Sequence, residues 1–175
     1  MPVTINGSAG VTTNTGAVYD SIQSATAVAS TSGTSIDFTS IPSWVKRITV
    51  MYSGISVNGT SNLIIQVGAG SVTTSGYTSS LSLAVNATLS TTTSTSGLLF
   101  ANAGFAVLAY SGQMIISSLG SNKWVCSVNS NDDGGARAMF GAGSITLGGA
   151  LDRVRFTTTT GTDTFDAGSI NILYE

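Results

Sequence analysis

From Thr26 to Glu175 apolar residues recur at alternate positions in short runs, and Gly, Ser and Asn separate one run from the next. A period of two is what a half-buried β-strand requires, and no stretch sustains the spacing of an amphipathic helix. The clearest case lies at the end of the chain, where Leu151 to Thr158 and Ala167 to Tyr174 flank a polar segment. Val154 and Phe156 share one face of the first run and Arg153 and Arg155 the other. In the second, Ile170, Ile172 and Tyr174 form the face to be buried, and Asn171 points outward. A slip of one residue would bury two arginines, so the register is well defined. The two runs read as a hairpin that closes a sheet. Gly161 and Gly168 tolerate positive φ in its connection, and Asp163 and Asp166 can accept hydrogen bonds from nearby backbone amides.

The same reading extends upstream. Ala27 to Ser30 and Ser35 to Phe38 are short strands, Pro42 sets a corner over Ile41 to Trp44, and Val45 to Tyr52 pairs with Asn62 to Val67 around Asn58-Gly59, a dipeptide suited to hairpin turns. Further strands are predicted over Ser79 to Val85, Leu98 to Phe100, Phe105 to Tyr110, Gln113 to Leu119, Lys123 to Asn129, Arg137 to Phe140 and Ser144 to Leu147. Thr88 to Ser96 is low in complexity and reads as an exposed loop. About ten to twelve strands without a helix predict an all-β fold, an antiparallel β-sandwich of jelly-roll-like character.

Residues 1–25 are small and polar with scattered apolar side chains, and cannot build a core. They are either a flexible leader or an N-terminal arm that orders against another subunit, with a short helix near Val18 to Ser24 as a lesser option. As an arm they offer Ile5, Val11, Val18, Tyr19 and Ile22 as anchors. The sandwich domain then occupies residues 26–175.

Charge narrows the partners. Only 8% of residues are charged, and from Ile48 to Asn122 there is no Asp, Glu, Lys or Arg. A net charge of −2 with six scattered cations offers nothing for a phosphate backbone to follow, so neither nucleic acid nor an anionic membrane is an expected partner. Weak self-repulsion favours a homo-oligomer. No apolar run is long enough to span a membrane, and MPVTINGSAG has neither the basic nor the apolar region of a signal peptide, which predicts no cleaved leader and no membrane insertion. The single cysteine, Cys126, excludes an intrachain disulfide and reads as a buried, inert thiol.

The chain has no histidine, which removes the commonest general base, the Ser-His-Asp and Cys-His arrangements and most zinc sites. No phosphate-binding glycine pattern and no nucleophile elbow occur, so no catalytic residue and no cofactor is assigned. Seven Asp and a C-terminal Glu are the material for a two-carboxylate glycosidase, which could use Asp163 with Asp166 or Asp132 with Asp133, and turn chemistry is the simpler reading of each pair. Asn129 to Gly135 resembles the start of a calcium loop, but the twelfth position, where a bidentate Glu belongs, is Phe140. That leaves a solvated turn, with a weak calcium site as the lesser reading. Tyr77 and Trp44 are candidates for stacking on a sugar ring or a partner, although Trp44 reads rather as a plug of the core.

Two segments resemble a known family. Asp37 to Asn62, DFTSIPSWVKRITVMYSGISVNGTSN, and Leu151 to Glu175, LDRVRFTTTTGTDTFDAGSINILYE, are similar to a β-rich module of tailed-bacteriophage virion proteins, often placed at the C-terminus of predicted tail fibres. The middle of the chain agrees with it only in character. The resemblance implies a trimeric, particle-surface protein, made in the bacterial cytoplasm and assembled with other virion proteins. It contains no catalytic motif, so it implies a setting and no reaction. The resulting expectation is a non-enzymatic structural protein, an outward-facing module of a tail fibre or adhesin that attaches to host-surface glycan. The alternative is a capsid decoration (cement) or head-fibre protein anchored by its arm. A surface polysaccharide depolymerase using the Asp pairs is a third, minor reading.

Overall fold

The computed structural model describes residues 4–6, 10–12, 22–102 and 106–175, and the regular elements among them are all strands. In order they are β1 (Thr4–Asn6), β2 (Gly10–Thr12), β3 (Gln23–Ser24), β4 (Val28–Ala29), β5 (Ile36–Phe38), β6 (Arg47–Val57), β7 (Leu63–Ala69) and β8 (Ser71–Val72). There follow β9 (Thr78–Val85), β10 (Thr88–Ser94), β11 (Leu98–Ala101), β12 (Tyr110–Gly120), β13 (Lys123–Asp132), β14 (Arg137–Thr146), β15 (Arg153–Thr158) and β16 (Phe165–Tyr174). Ten of these have four residues or more, within the range the alternation predicts.

A nine-stranded sheet runs β10-β9-β14-β13-β12-β6-β16-β3, with β4 also on β16, and a five-stranded sheet runs β11-β7-β15-β5, with β8 on β7. All pairings are antiparallel. Within the large sheet β12, β13 and β14 form a meander. These connections establish a β-sandwich; they do not establish a jelly-roll winding.

One buried cluster lies between the sheets. Strict alternation feeds it: along β13, Trp124, Cys126, Val128, Ser130 and Asp132 are buried while their neighbours face out or lie half-buried. A chain of rings ties the layers together. Tyr52 of the large sheet lies 4.8 Å from Phe100 of the small one, Phe100 lies 5.7 Å from Phe156, and Phe156 lies 6.1 Å from Phe38.

β6 shows how the large sheet bends. Its buried positions are Ile48, Val50 and Tyr52, then Ile55 and Val57, so the phase flips between Tyr52 and Ile55. Both neighbouring strands shift register at that point. An extra residue in one strand is a β-bulge, which bends the strand and sharpens its twist.

The terminal pair is where expectation and structure part. β15 and β16 are not a hairpin: β15 pairs with β5 and β7 in the small sheet, and β16 with β6, β3 and β4 in the large one. The segment between them crosses the sandwich. Asn58-Gly59 likewise joins strands of different sheets, β6 and β7. The two crossings satisfy each other. The Asn58 N–H donates to the Thr164 carbonyl at 2.9 Å, the Thr164 N–H to Asn58 Oδ1 at 2.8 Å, and the Ser61 N–H to Asp163 Oδ2 at 2.9 Å. The facing of β15 is as predicted, with Val154 and Phe156 fully buried and Arg153 and Arg155 outward. Ile170 and Ile172 are buried, whereas Tyr174 is half-buried.

Other corrections follow from the pairing. Thr88 to Ser94, read as part of a loop, is the edge strand β10, in register with β9 over seven residues. Ala106 to Ala109 are not strand, and Arg137 to Thr146 is one strand where two were predicted. Gln23 and Ser24, assigned to the arm, pair with β16. Ile5 and Val11 face each other as backbone partners of β1 and β2, Ile22 is exposed, and Val18 and Tyr19 lie outside the described residues.

Candidate binding face

The two outer faces of the sandwich differ in charge. On the small sheet Arg155 donates to both oxygens of Asp37 at 2.7 and 2.8 Å, directly across the β15–β5 pair, and Arg153 donates to Asp152 at 2.8 and 3.2 Å. The hydrogen bond from Arg153 holds the Asp152 carboxyl below the usual carboxylate range. The Arg155–Asp37 pair, about a third exposed on each side, contributes about 0–1 kcal/mol.

The outer face of the large sheet is neutral across its middle. One cross-strand row runs through Ser82, Phe140, Asn129, Gln113 and Met51, and the next through Ser80, Ala142, Ser127, Ile115 and Thr49. No ionisable side chain stands in either row. Phe140, 48% exposed, is the largest apolar group on this face.

Where β9, β10 and β14 meet the loop before β9, the face sinks into an open groove of about 460 Å³. Thr78, Ser80, Thr93, Thr95 and Ser144 line it together with Ala142. Hydroxyls both donate and accept, and with no charged side chain among the lining residues they suit a neutral polyol.

Tyr77 closes one end of this groove but is itself only 2% exposed, which overturns its reading as a ring open to a ligand. Its hydroxyl accepts the Val67 N–H at 2.8 Å and lies 2.9 Å from the Thr73 carbonyl, so it fastens the loop to β7. Burial pushes its pKa up to about 12. Trp44, by contrast, is not the core plug: it is 39% exposed and tilts against Tyr174 with ring centres 6.2 Å apart. It does not line the groove, so the two aromatic candidates are not brought together. Ser80, Thr93 and Ala142, which do line it, escaped sequence reasoning. Their outward phase along β9, β10 and β14 was the available signal.

The carboxylate pairs are divided among structural contacts. Asp132, 2% exposed, accepts the Arg137 N–H at 3.1 Å, while Asp133 accepts the Ser111 hydroxyl at 2.7 Å. Asp163 holds the Ser61 amide and Asp166 the Ser56 hydroxyl. Asn129 to Asp132 belong to β13, and the turn sends Asp132 inward and Asp133 toward β12, so their oxygens do not converge as a calcium loop requires. Among the described residues no three His, Cys, Asp or Glu cluster as a metal site.

Cys126 is buried as predicted, and desolvation pushes its thiol up to about 12. A thiol-specific chromogenic reagent should therefore leave the native protein unlabelled and label it fully once unfolded. Rapid stoichiometric labelling in native buffer would contradict this burial. The indole N–H of Trp124 has no hydrogen-bond partner among the described residues, and Trp124 borders a second cavity of about 90 Å³, room enough for a water molecule.

Neither a protein-family model nor a curated protein matches the chain.

Proposed function

We propose that the chain is a non-enzymatic structural protein of a tailed-bacteriophage virion, displayed at the particle surface as a module of a tail fibre or adhesin that attaches to host-surface glycan. The observation that carries this reading is the neutral middle of the outer face of the nine-stranded sheet, with its groove of about 460 Å³ lined by Ser, Thr and Ala and no charged side chain. A wide uncharged surface neither attracts nucleic acid nor orders a charged ligand, and it suits the repeated neutral hydroxyls of a polysaccharide. The resemblance of Asp37 to Asn62 and Leu151 to Glu175 to phage virion modules supplies the setting, including synthesis in the bacterial cytoplasm and a homo-oligomeric state.

Purified protein at saturation should slow adsorption of the phage to its host several-fold, and Ala142→Trp, which fills the groove from an exposed position, should remove that inhibition without lowering the melting temperature. Unchanged adsorption with the unaltered protein would sink the attachment reading.

One observation favours the second reading, particle decoration. Among the described residues β1 and β2 pair with each other and with neither sheet of the sandwich, as an arm that docks elsewhere would. Deleting residues 1–21 should then release the module from particles, and full co-sedimentation of the truncated protein would count against decoration.

A further inference from the structure

We propose that β10 is a self-pairing edge, through which two copies of the chain join their nine-stranded sheets about a two-fold axis at Thr91. β10 ends the large sheet, and among the described residues nothing pairs with its outer side. Sheet edges are ordinarily protected by charge, proline, bulges or brevity. The other edges here follow that rule. β5 has three residues and carries Asp37, β3 and β4 have two residues each, and β11 has four with a register shift. β10 has none of these devices: seven residues, no charge, no proline, and unbroken register with β9.

The geometry of its turn determines which peptide groups face outward. Asn86 and Ala87 have φ of 49° and 61°, a two-residue turn with both centres left-handed, so Val85 and Thr88 form a pair that exchanges both hydrogen bonds. Such pairs alternate along antiparallel strands. The peptide groups of Thr88, Ser90, Thr92 and Ser94 are therefore spent on β9, and those of Leu89, Thr91 and Thr93 point away from the sheet.

This set is symmetric about Thr91. An antiparallel second copy places Thr91 opposite the partner's Thr91, and Leu89 opposite the partner's Thr93. Each outward N–H then meets a carbonyl, about six backbone hydrogen bonds in all. The side chains meet as Thr on Thr and Thr on Leu, with no like charges opposed, which is why a second copy is the fitting occupant. Leu89, 62% exposed in the single chain, gains a neighbour. The axis is perpendicular to the sheet, so both neutral faces end on the same side of the pair. An isologous contact of this kind closes on itself, so copies are held in even numbers; a three-fold contact elsewhere would combine with it into a hexamer.

The test uses the full chain. Thr91→Cys should form an interchain disulfide under mild oxidation, because the paired Cα atoms stand about 5.5 Å apart, within disulfide range. Leu89→Cys should not, since its partner position is Thr93. Thr91→Pro removes an outward N–H without touching the bonds to β9 and should halve the mass seen by sedimentation. Thr91→Lys, a gentler change, should weaken self-association at least tenfold at low salt and recover part of it at high salt. A monomer at the highest soluble concentration overturns the proposal. So does a trimer whose mass none of these variants alters, or a disulfide at position 89 in preference to 91.

Discussion

Phe100→Ala should lower the stability of the sandwich by about 3–5 kcal/mol, the range for deleting a large ring from a packed core. Phe100 is fully buried in the small sheet, yet its nearest ring belongs to the large one, Tyr52 at 4.8 Å, and its other neighbour, Phe156, leads on to Phe38. Truncation thus removes the ring that both layers share, and leaves a cavity that two hydrogen-bonded sheets cannot collapse to fill. Phe140→Ala supplies the contrast. Its ring is 48% exposed on the outer face, and removing it should change stability by about 0.5 kcal/mol or little more. Denaturant midpoints at constant slope give both values. If the two substitutions cost the same, the two sheets are not closed on each other through Phe100.

Facing was legible in the sequence, and pairing was not. Alternation alone placed Val154 and Phe156 inside and Arg153 and Arg155 outside, because the direction of a side chain in a strand follows from its parity. Which strand lies beside which is a tertiary matter. Asn58-Gly59 has the composition of a hairpin turn, and it also suits a crossing, provided another segment accepts its polar groups. Thr164 does so, more than a hundred residues later. No local pattern announces that meeting. One sign was present in β7: Leu63 to Gly68 is buried on both faces, and the unbroken run Leu-Ile-Ile belongs to a covered central strand and not to a half-exposed hairpin arm.

The candidate site was hidden for a related reason. The Thr and Ser of β10 look like a loop when hydrophobicity is the criterion. An edge strand needs an apolar face only where it touches the core, however, and β-branched Thr fits a pleated surface well. Tyr77 stands among polar residues, yet it is buried because the loop carrying it folds back on β7. That contact joins residues 67 and 77 through a hydroxyl and leaves no trace in the alternation. The phase flip between Tyr52 and Ile55, by contrast, could have been read directly as a bulge.

That bulge carries the second large effect. Gly54 and Gly168 face each other across β6 and β16, both with positive φ, at 63° and 96°. Gly54→Ala should cost about 1–2 kcal/mol, the ordinary penalty for a left-handed residue, since its new methyl would come no nearer than 3.6 Å to Asp133 Oδ2 and 3.9 Å to the Gly168 Cα. Gly168→Ala should cost about 3 kcal/mol or more, because the conformational strain of about 1–3 kcal/mol is joined by a clash. A Cβ there would lie 2.5 Å from the carbonyl carbon and oxygen of Gly54 and 2.6 Å from the Ile55 nitrogen. These are backbone atoms of a neighbouring strand, and they cannot turn aside as a side chain could. Moving them would disturb the register of β6 with both β16 and β12, where the large sheet bends over the small one. Gly161→Ala isolates the strain alone, with φ of 70° and no atom within 4 Å of the added methyl. Equal losses for Gly161→Ala and Gly168→Ala in chemical denaturation would mean that β6 and β16 do not approach so closely. A markedly larger loss at Gly168 would show that the close approach of these two backbones adds a clash to the strain of the turn geometry.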